Sequence, residues 1–306
     1  MPRKIIYLIN PISGTQGKSS LQELISRRTR QESIEFSILP TNAEGNYDFL
    51  IPHIAREKVT DIVICGGDGT VNAVAAALQG SSVRVGIIPM GSGNGLAFAA
   101  KIPRAPSRAL DVIFAGQASY IDAFTINGQF SCMLCGIGFD AKVAHEFARQ
   151  PKRGLQTYIK VSLANFLSAG FYPFTIDLQT PGATSPHTAF QTEAFFISIA
   201  NGNQFGNNVT IAPRASLSDG LLDIVIVKKM HKLRMFIAVI RQVWGGNPLQ
   251  TTPKDLSGKG VLYFQVPALT IGNSRQAPLH IDGEPKDTAA RFDIRIAPKV
   301  FQLIQP

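Results

Sequence analysis

Only three cysteines occur in 306 residues, Cys65, Cys132 and Cys135. That is too few for a disulfide framework and fits a reducing compartment. Cys132 and Cys135 form a single C-x-x-C, but no second Cys or His pair has zinc-ligand spacing. Buried strand thiols are therefore expected. The histidines, His53, His145, His187, His231 and His280, show neither metal spacing nor a triad. No apolar run approaches the ~20 residues that a membrane span needs. The run Ile5 to Ile9 falls short of the ~7–15-residue core of a signal peptide. A cytoplasmic protein that meets membranes from one side only is expected. Charged residues make up just 17% against 45% hydrophobic, which argues against extended disorder. A P-loop is also missing: in Gly14-Thr15-Gln16-Gly17-Lys18-Ser19 two residues separate the glycines where four are required. No aromatic-basic motif supports nucleic-acid binding.

What charge there is lies unevenly. Residues 1–125 carry 12 Lys+Arg against 10 Asp+Glu, and residues 126–306 carry 18 against 11, so +7 of the net +9 belongs to the second part. Such an excess suits an anionic surface, and equally serves solubility. The segment Lys228–Trp244 is basic at its start. Its apolar residues Met235, Phe236, Val239, Ile240 and Val243 share one helical face. Helical periodicity allows two roles, a core-facing helix or a membrane-surface helix.

The chain changes grammar near residue 125. Before it, apolar runs at 4–9, 34–39, 61–65 and 83–88 alternate with helical patterns at 18–30, 46–57, 70–79 and 107–115, the alternation of a parallel α/β sheet. Pro52 counts against the second helix. After it, β-rich runs at 119–126, 129–136, 174–180, 190–200, 221–227, 261–266, 277–281 and 291–297 predict an antiparallel sandwich or open barrel. They are punctuated by Asn127-Gly128, Asp219-Gly220, Gly245-Gly246 and Asp282-Gly283. Helical insertions are expected at about 154–169 and 232–244. The expected organisation is an α/β domain over 1–125 and a β-rich domain over 126–290, with the tail from about 290 to 306 returning to the first.

Three polar loops follow apolar strands in the first part: Asn10-Pro11-Ile12-Ser13-Gly14, Gly66-Gly67-Asp68-Gly69-Thr70 and Gly91-Ser92-Gly93-Asn94-Gly95. In a parallel sheet all three fall at the carboxyl edge, where open α/β sheets bind ligands. The helices that follow aim unpaired N–H groups at the loops, and glycine lets backbone approach phosphate oxygens. Asp68 is a carboxylate among these anion sites. It is tolerable there if it binds Mg²⁺ or takes a proton from an acceptor hydroxyl, or if it simply caps the following helix.

Taken in order, these loops together with Gly136-Ile137-Gly138-Phe139-Asp140-Ala141, Asp219-Gly220-Leu221-Leu222-Asp223 and Ile281-Asp282-Gly283-Glu284 resemble the diacylglycerol kinase catalytic-domain family, which includes bacterial lipid kinases and sphingosine kinases. The resemblance spans nearly the whole chain. It implies a NAD kinase-like α/β domain, a β-sandwich domain, and transfer of the ATP γ-phosphate to a lipid hydroxyl with Mg²⁺. By the same resemblance Asn10, Ser13, Thr41, Gly66, Gly67, Asp68, Gly69, Thr70, Val71, Asn72, Gly91, Ser92, Gly93 and Asn94 would hold the nucleotide. Asp68 and Glu284 would be the catalytic carboxylates, and Asp140 would stand near the lipid head group. Asp219, with the carbonyls of Ser216 and Leu221, would bind metal. The expected partners are the lipid substrate and an anionic membrane surface; a homodimer is left open. Asn72 is followed by Ala73 where bacterial members have Glu, and the third loop is closer to the Gly-Ser-Gly-Asn form of sphingosine kinases. A sphingoid-base kinase and a non-catalytic lipid-binding protein on the same fold therefore stay open.

Overall fold

A computed structural model describes residues 2–9, 18–42, 44–151, 154–178, 188–204, 209–244, 248–250 and 260–306. The chain divides into two compact units, Met1–Ile121 with Lys299–Pro306, and Asp122–Pro298. The expected division lay a few residues later, at 125/126, with a return from about 290.

In the first unit strands and helices alternate: β1 Lys4–Ile9, α1 Lys18–Gln31, β2 Glu35–Pro40, α2 Leu50–Glu57, β3 Asp61–Gly66, α3 Asp68–Ala77, β4 Arg84–Pro89, α4 Gly95–Ala99 and α5 Pro106–Ala115. The strands are parallel in the order β4-β3-β1-β2. β1 and β3 are buried along nearly their whole length, as central parallel strands covered on both faces must be. α2 begins at Leu50, later than its apolar pattern suggests. Pro52 thus occupies the first turn, where its missing N–H has no intrahelical partner to lose. Pro106 opens α5 and Gly116 closes it in the left-handed conformation. Asp61, fully buried at the start of β3, is held by Arg3 and Arg84. Both arginines also donate to carbonyls near the end of α5. This charge cluster ties down the amino edge of the sheet, so it is structural.

In the second unit the elements are β5 Ala118–Ile126 (entering from the first unit), β6 Gln129–Ser131, β7 Leu134–Gly138, α6 Phe139–Ala148, α7 Leu155–Phe166, β8 Tyr172–Leu178, β9 Thr188–Ala200, β10 Leu222–Lys228, α8 Lys232–Val243, β11 Val261–Val266, β12 Ala268–Gly272, β13 Leu279–Ile281, β14 Glu284–Lys286 and β15 Arg291–Ile304. Pairing is antiparallel in the order β14-β13-β7-β9-β8-β12-β15, with β10 between β9 and β11. The end of β15 belongs to the first unit, where Gln302 and Leu303 pair in parallel with β4. Side chains alternate across the pleat. Ile197, Ile199, Ile224, Ile226, Leu262 and Phe264 enter one core with Phe174, Leu269 and Phe292. Phe196, Val225, Val227 and Tyr263 enter a second core, which Met235 of α8 and Phe166 of α7 join. This is a β-sandwich with helices laid over one face.

The expected single strand 129–136 is two, β6 and β7, broken at Cys132 and Met133. The break has a cause. Asp282, buried in the turn between β13 and β14, accepts from the Ser131 hydroxyl (2.7 Å) and from the N–H groups of Cys132, Met133 and Leu134. The carboxylate replaces a ladder partner there. The turn itself has the φ > 0 pair, Asp282 at 48° and Gly283 at 81°, that its dipeptide predicts. All three cysteines are buried free thiols, and burial raises Cys135 well above its ordinary value.

Burial likewise raises the Asp282 carboxyl above the usual carboxylate range, its four hydrogen bonds offsetting only part of the cost. The folded state therefore holds this proton more tightly than the unfolded chain. Stability is fully present below the unfolded value and is lost as pH rises through the folded value. Thermal unfolding followed by circular dichroism should show that decline, and Asp282→Asn should make it shallower, leaving the share of the other raised carboxyls. Asp282→Ala, which strands three amides, is expected to cost roughly 2–5 kcal/mol at neutral pH; an unchanged midpoint would dismiss the anchor.

Candidate functional site

β3 and β4 are neighbours in register, Gly66 opposite Pro89, so the loops that leave their carboxyl ends start side by side. The N–H of Met90 donates to the Gly66 carbonyl at 2.9 Å. A Cβ on Gly91 would lie 2.5 Å from the Cα of Gly67, and a Cβ on Gly67 would lie 3.0 Å from the Cα of Gly91. The two loops can approach this closely only because both residues are glycine. Asn94, buried and left-handed at φ 55°, locks the third loop. Its side chain accepts from the Gly91 N–H at 2.8 Å and donates to the Gly91 carbonyl at 2.7 Å.

Asp68 joins the loops. It lies in the first turn of α3, and its Oδ1 accepts from the N–H of Gly95, the first residue of α4, at 2.7 Å. A Cβ on Gly93 would lie 2.6 Å from Oδ2. Asp68 thus caps the start of α4, the helix after the third loop. The start of α3 and the exposed Gly69 and Ser92 leave a backbone-lined surface with one half-exposed carboxylate in it. Unpaired N–H groups in a first helical turn favour anions.

The remaining residues expected here divide. Thr70 packs its side chain against Gly66. Val71 is buried with its N–H bonded to the Gly67 carbonyl, so it serves the helix core. Asn72 is half-buried one position on. Thr41, just past β2, is buried, and its N–H donates to the Ile9 carbonyl at 3.0 Å. Its side chain bonds the Tyr47 phenol, which burial raises above the ordinary tyrosine value. Asn10 and Ser13 lie outside the described residues.

A second constellation lies in the other unit. Asp140 lies in the first turn of α6, and its Oδ1 accepts from the N–H of Ala141 at 2.8 Å. Its Oδ2 is buried, makes no hydrogen bond, and faces His280 Nε2 at 3.5 Å. His280 Nδ1 accepts from the Gly283 N–H at 3.2 Å, which leaves the ring proton on Nε2, towards the carboxylate. Gly136 makes room for the pair: any Cβ there would collide with both side chains. Glu284 is exposed at the start of β14, just past the same turn. The Asp140–His280 contact joins residues 140 apart in sequence, so no spacing could announce it.

Asp219 makes a local turn, its Oδ1 accepting from the Leu221 N–H at 3.0 Å, while Ser216 Oγ accepts from the Ser218 N–H. Burial, with the neighbouring Asp122 carboxylate, raises Asp219 above its ordinary value. Asp122 is almost wholly buried and takes the Gly220 N–H on Oδ2 at 2.7 Å. The one cue to Asp122 in the sequence is a charge inside the apolar strand Ile121–Phe124. Asp223 is also buried, pushed up to about 6 by burial, and bonded by Tyr263 and Gln265. Among the described residues no three His, Cys, Asp or Glu could hold a metal alone. An all-oxygen set of one or two carboxylates with carbonyls suits a hard cation that keeps part of its water. The Ser216–Leu221 turn fits that chemistry, as does the half-exposed carboxylate of Asp68.

Residues 4–126 match the diacylglycerol kinase catalytic domain, and residues 134–305 match the YegS C-terminal NAD kinase beta sandwich-like domain. The chain belongs to the family of YegS-like and diacylglycerol kinases. Its members include the "Probable lipid kinase YegS-like" protein of Pectobacterium atrosepticum, 27% identical over 100% of this chain and 98% of the relative. The diacylglycerol kinase of Bacillus subtilis is 26% identical over 92% and 89%. A crystal structure of a diacylglycerol kinase from Bacillus anthracis superposes with a TM-score of 0.71 at 19% identity, covering 99% of this chain and 97% of that one. At that identity the superposition supports the fold alone. The family's parallel-stranded first domain and sandwich second domain are both present, as the glycine loops and hairpin turns imply.

Proposed function

We propose that this chain is an ATP- and Mg²⁺-dependent lipid kinase that transfers the γ-phosphate to the hydroxyl of a diacylglycerol-type lipid at a membrane surface. The observation that carries this is the closure of the Gly66–Thr70 and Gly91–Asn94 loops on each other with Asp68 bonded across them. Phosphoryl transfer asks a protein mainly for positioning and charge neutralisation. The loop amides and the first turn of α3 hold the phosphates, with Thr41 and Asn72 on the nucleotide's flank. Asp68 would help hold Mg²⁺, which would supply neutralisation of the charge that develops on the transferred group. Asp68 or Glu284 takes the proton from the lipid hydroxyl as its oxygen attacks. Asp140, oriented by His280, stands near the polar head of the lipid. The Ser216–Leu221 turn, with Asp219, would hold a second cation.

The Gly91-Ser92-Gly93-Asn94 form of the third loop favours a second reading, a sphingoid-base kinase. Labelled ATP offered with diacylglycerol, ceramide, sphinganine and phosphatidylglycerol in detergent, followed by chromatography, separates them. Label on diacylglycerol is the expected result, and label on sphinganine alone selects the second reading. Transfer to NAD and to no lipid would sink both, and a chain without turnover on any acceptor would be a lipid-binding protein.

A further inference from the structure

α8 turns its outward face in an unexpected direction. Met235 and Gln242 are its buried residues, and Gln242 donates to the Ile211 carbonyl at 2.8 Å. The face left outside carries Leu233, Phe236 and Ile237 and ends on Trp244, 83% exposed. α7 does the same with Ile159, Leu163 and its C-cap Leu167, spaced four apart and so aligned in one stripe. The helices meet where the Phe166 and Phe236 rings approach at 6.4 Å and where Lys232 donates to the carbonyls of Phe166 and Ala169. Among the described residues ten large apolar side chains are exposed, and seven of them are these. Such a concentration marks a contact surface.

Charge names the occupant. No carboxylate occurs from 147 to 176 or from 224 to 254, while these stretches hold four and six Lys+Arg. Four nearby cations do not all serve docking: Lys229 pairs with Glu193 at 2.8 Å, and Lys232 stands 4.2 Å over the Phe195 ring. Lys229 and Lys232, two of the four basic residues Lys228, Lys229, Lys232 and Arg234 that begin this segment, are thus engaged in the fold. Lys160 and Arg234 remain exposed beside the stripes. An apolar face with a cationic border and a tryptophan at its end is the pattern of an element that lies in a lipid interface.

We infer that the α7–α8 face is the surface by which this protein docks on an anionic bilayer, its apolar stripes entering the acyl boundary. The inference rests on the lipid-kinase reading for its choice of bilayer, but its test needs no turnover. Trp244 is the single tryptophan in the chain, so its fluorescence reports on this face directly. With vesicles of phosphatidylcholine containing phosphatidylglycerol, Trp244 emission should shift to the blue and be quenched by acyl-chain quenchers. Leu163→Glu with Ile237→Glu should weaken vesicle binding at least about tenfold, because charges on an inserting face must be desolvated. Activity of that variant on a detergent-dispersed short-chain lipid should be retained. Vesicle binding with no change in Trp244 emission would overturn the inference, as would binding indifferent to the two glutamates. A blue shift that grows with protein concentration without lipid would assign the face to a second copy instead. Docking as described by a protein that phosphorylates no lipid in detergent would remove the kinase reading and leave the surface.

Discussion

Asp68→Asn is expected to lower kcat by roughly 10²-fold or more, the scale of a general-base or electrostatic contribution, with little change in the unfolding midpoint. The asparagine can keep its Oδ1 on the Gly95 N–H, the 2.7 Å bond that joins the two loops. Its amide fills the space of Oδ2 beside Gly93, so the loops should stay closed. What disappears is the charge. A carboxylate among phosphates is repelled by them at every distance unless a cation or a transferred proton compensates. If Asp68 were merely the cap of α4, the amide would serve nearly as well and turnover would persist. Steady-state kinetics beside a thermal melt decides the matter. A folded variant with near-native kcat would take Asp68 out of the mechanism and leave Glu284 to accept the proton.

The second large effect is expected at Gly91. A methyl group there would lie 2.5 Å from the Cα of Gly67. The obstacle is backbone rather than the end of a flexible side chain, so the loops themselves must part. Overpacking of this kind costs typically about 1–3 kcal/mol. The functional cost should exceed it, because phosphate-binding amides act only when held in place. Gly91→Ala should raise the KM for ATP at least about tenfold, while the KM for the lipid changes little. Gly170→Ala is the control, since a Cβ there meets nothing within 4 Å. An unchanged KM for ATP in Gly91→Ala would show that the closure of these two loops does not build the nucleotide site.

Much of this was open to sequence reasoning because the responsible interactions are local. Glycine after a buried strand and before a helix reads as a βα loop, and a parallel sheet sends such loops to one edge. Asn127-Gly128 and Asp282-Gly283 each adopt the φ > 0 pairs that their dipeptides favour. The shift from βα alternation to β-runs marks two kinds of sheet in the sequence alone. Boundaries were less legible where a side chain from far away intervened. The break between β6 and β7 depends on Asp282, about 150 positions distant, and nothing in residues 129–136 foretells it.

The sequence by itself determined the strand and helix types, the turn conformations and the place of the glycine loops at the ends of parallel strands, because each follows from the preferences of a few adjacent residues. Tertiary structure alone decided three things. It brought Gly67 against Gly91, turning two ordinary loops into one surface. It placed His280 on Asp140 and Asp122 beside Asp219, pairs no spacing reveals. And it chose which face of α8 to cover. Periodicity shows that Met235, Phe236, Val239 and Ile240 share a side of the helix. Burial is a property of what packs against that side, and here the neighbours reach Met235 while Phe236 stays in the open.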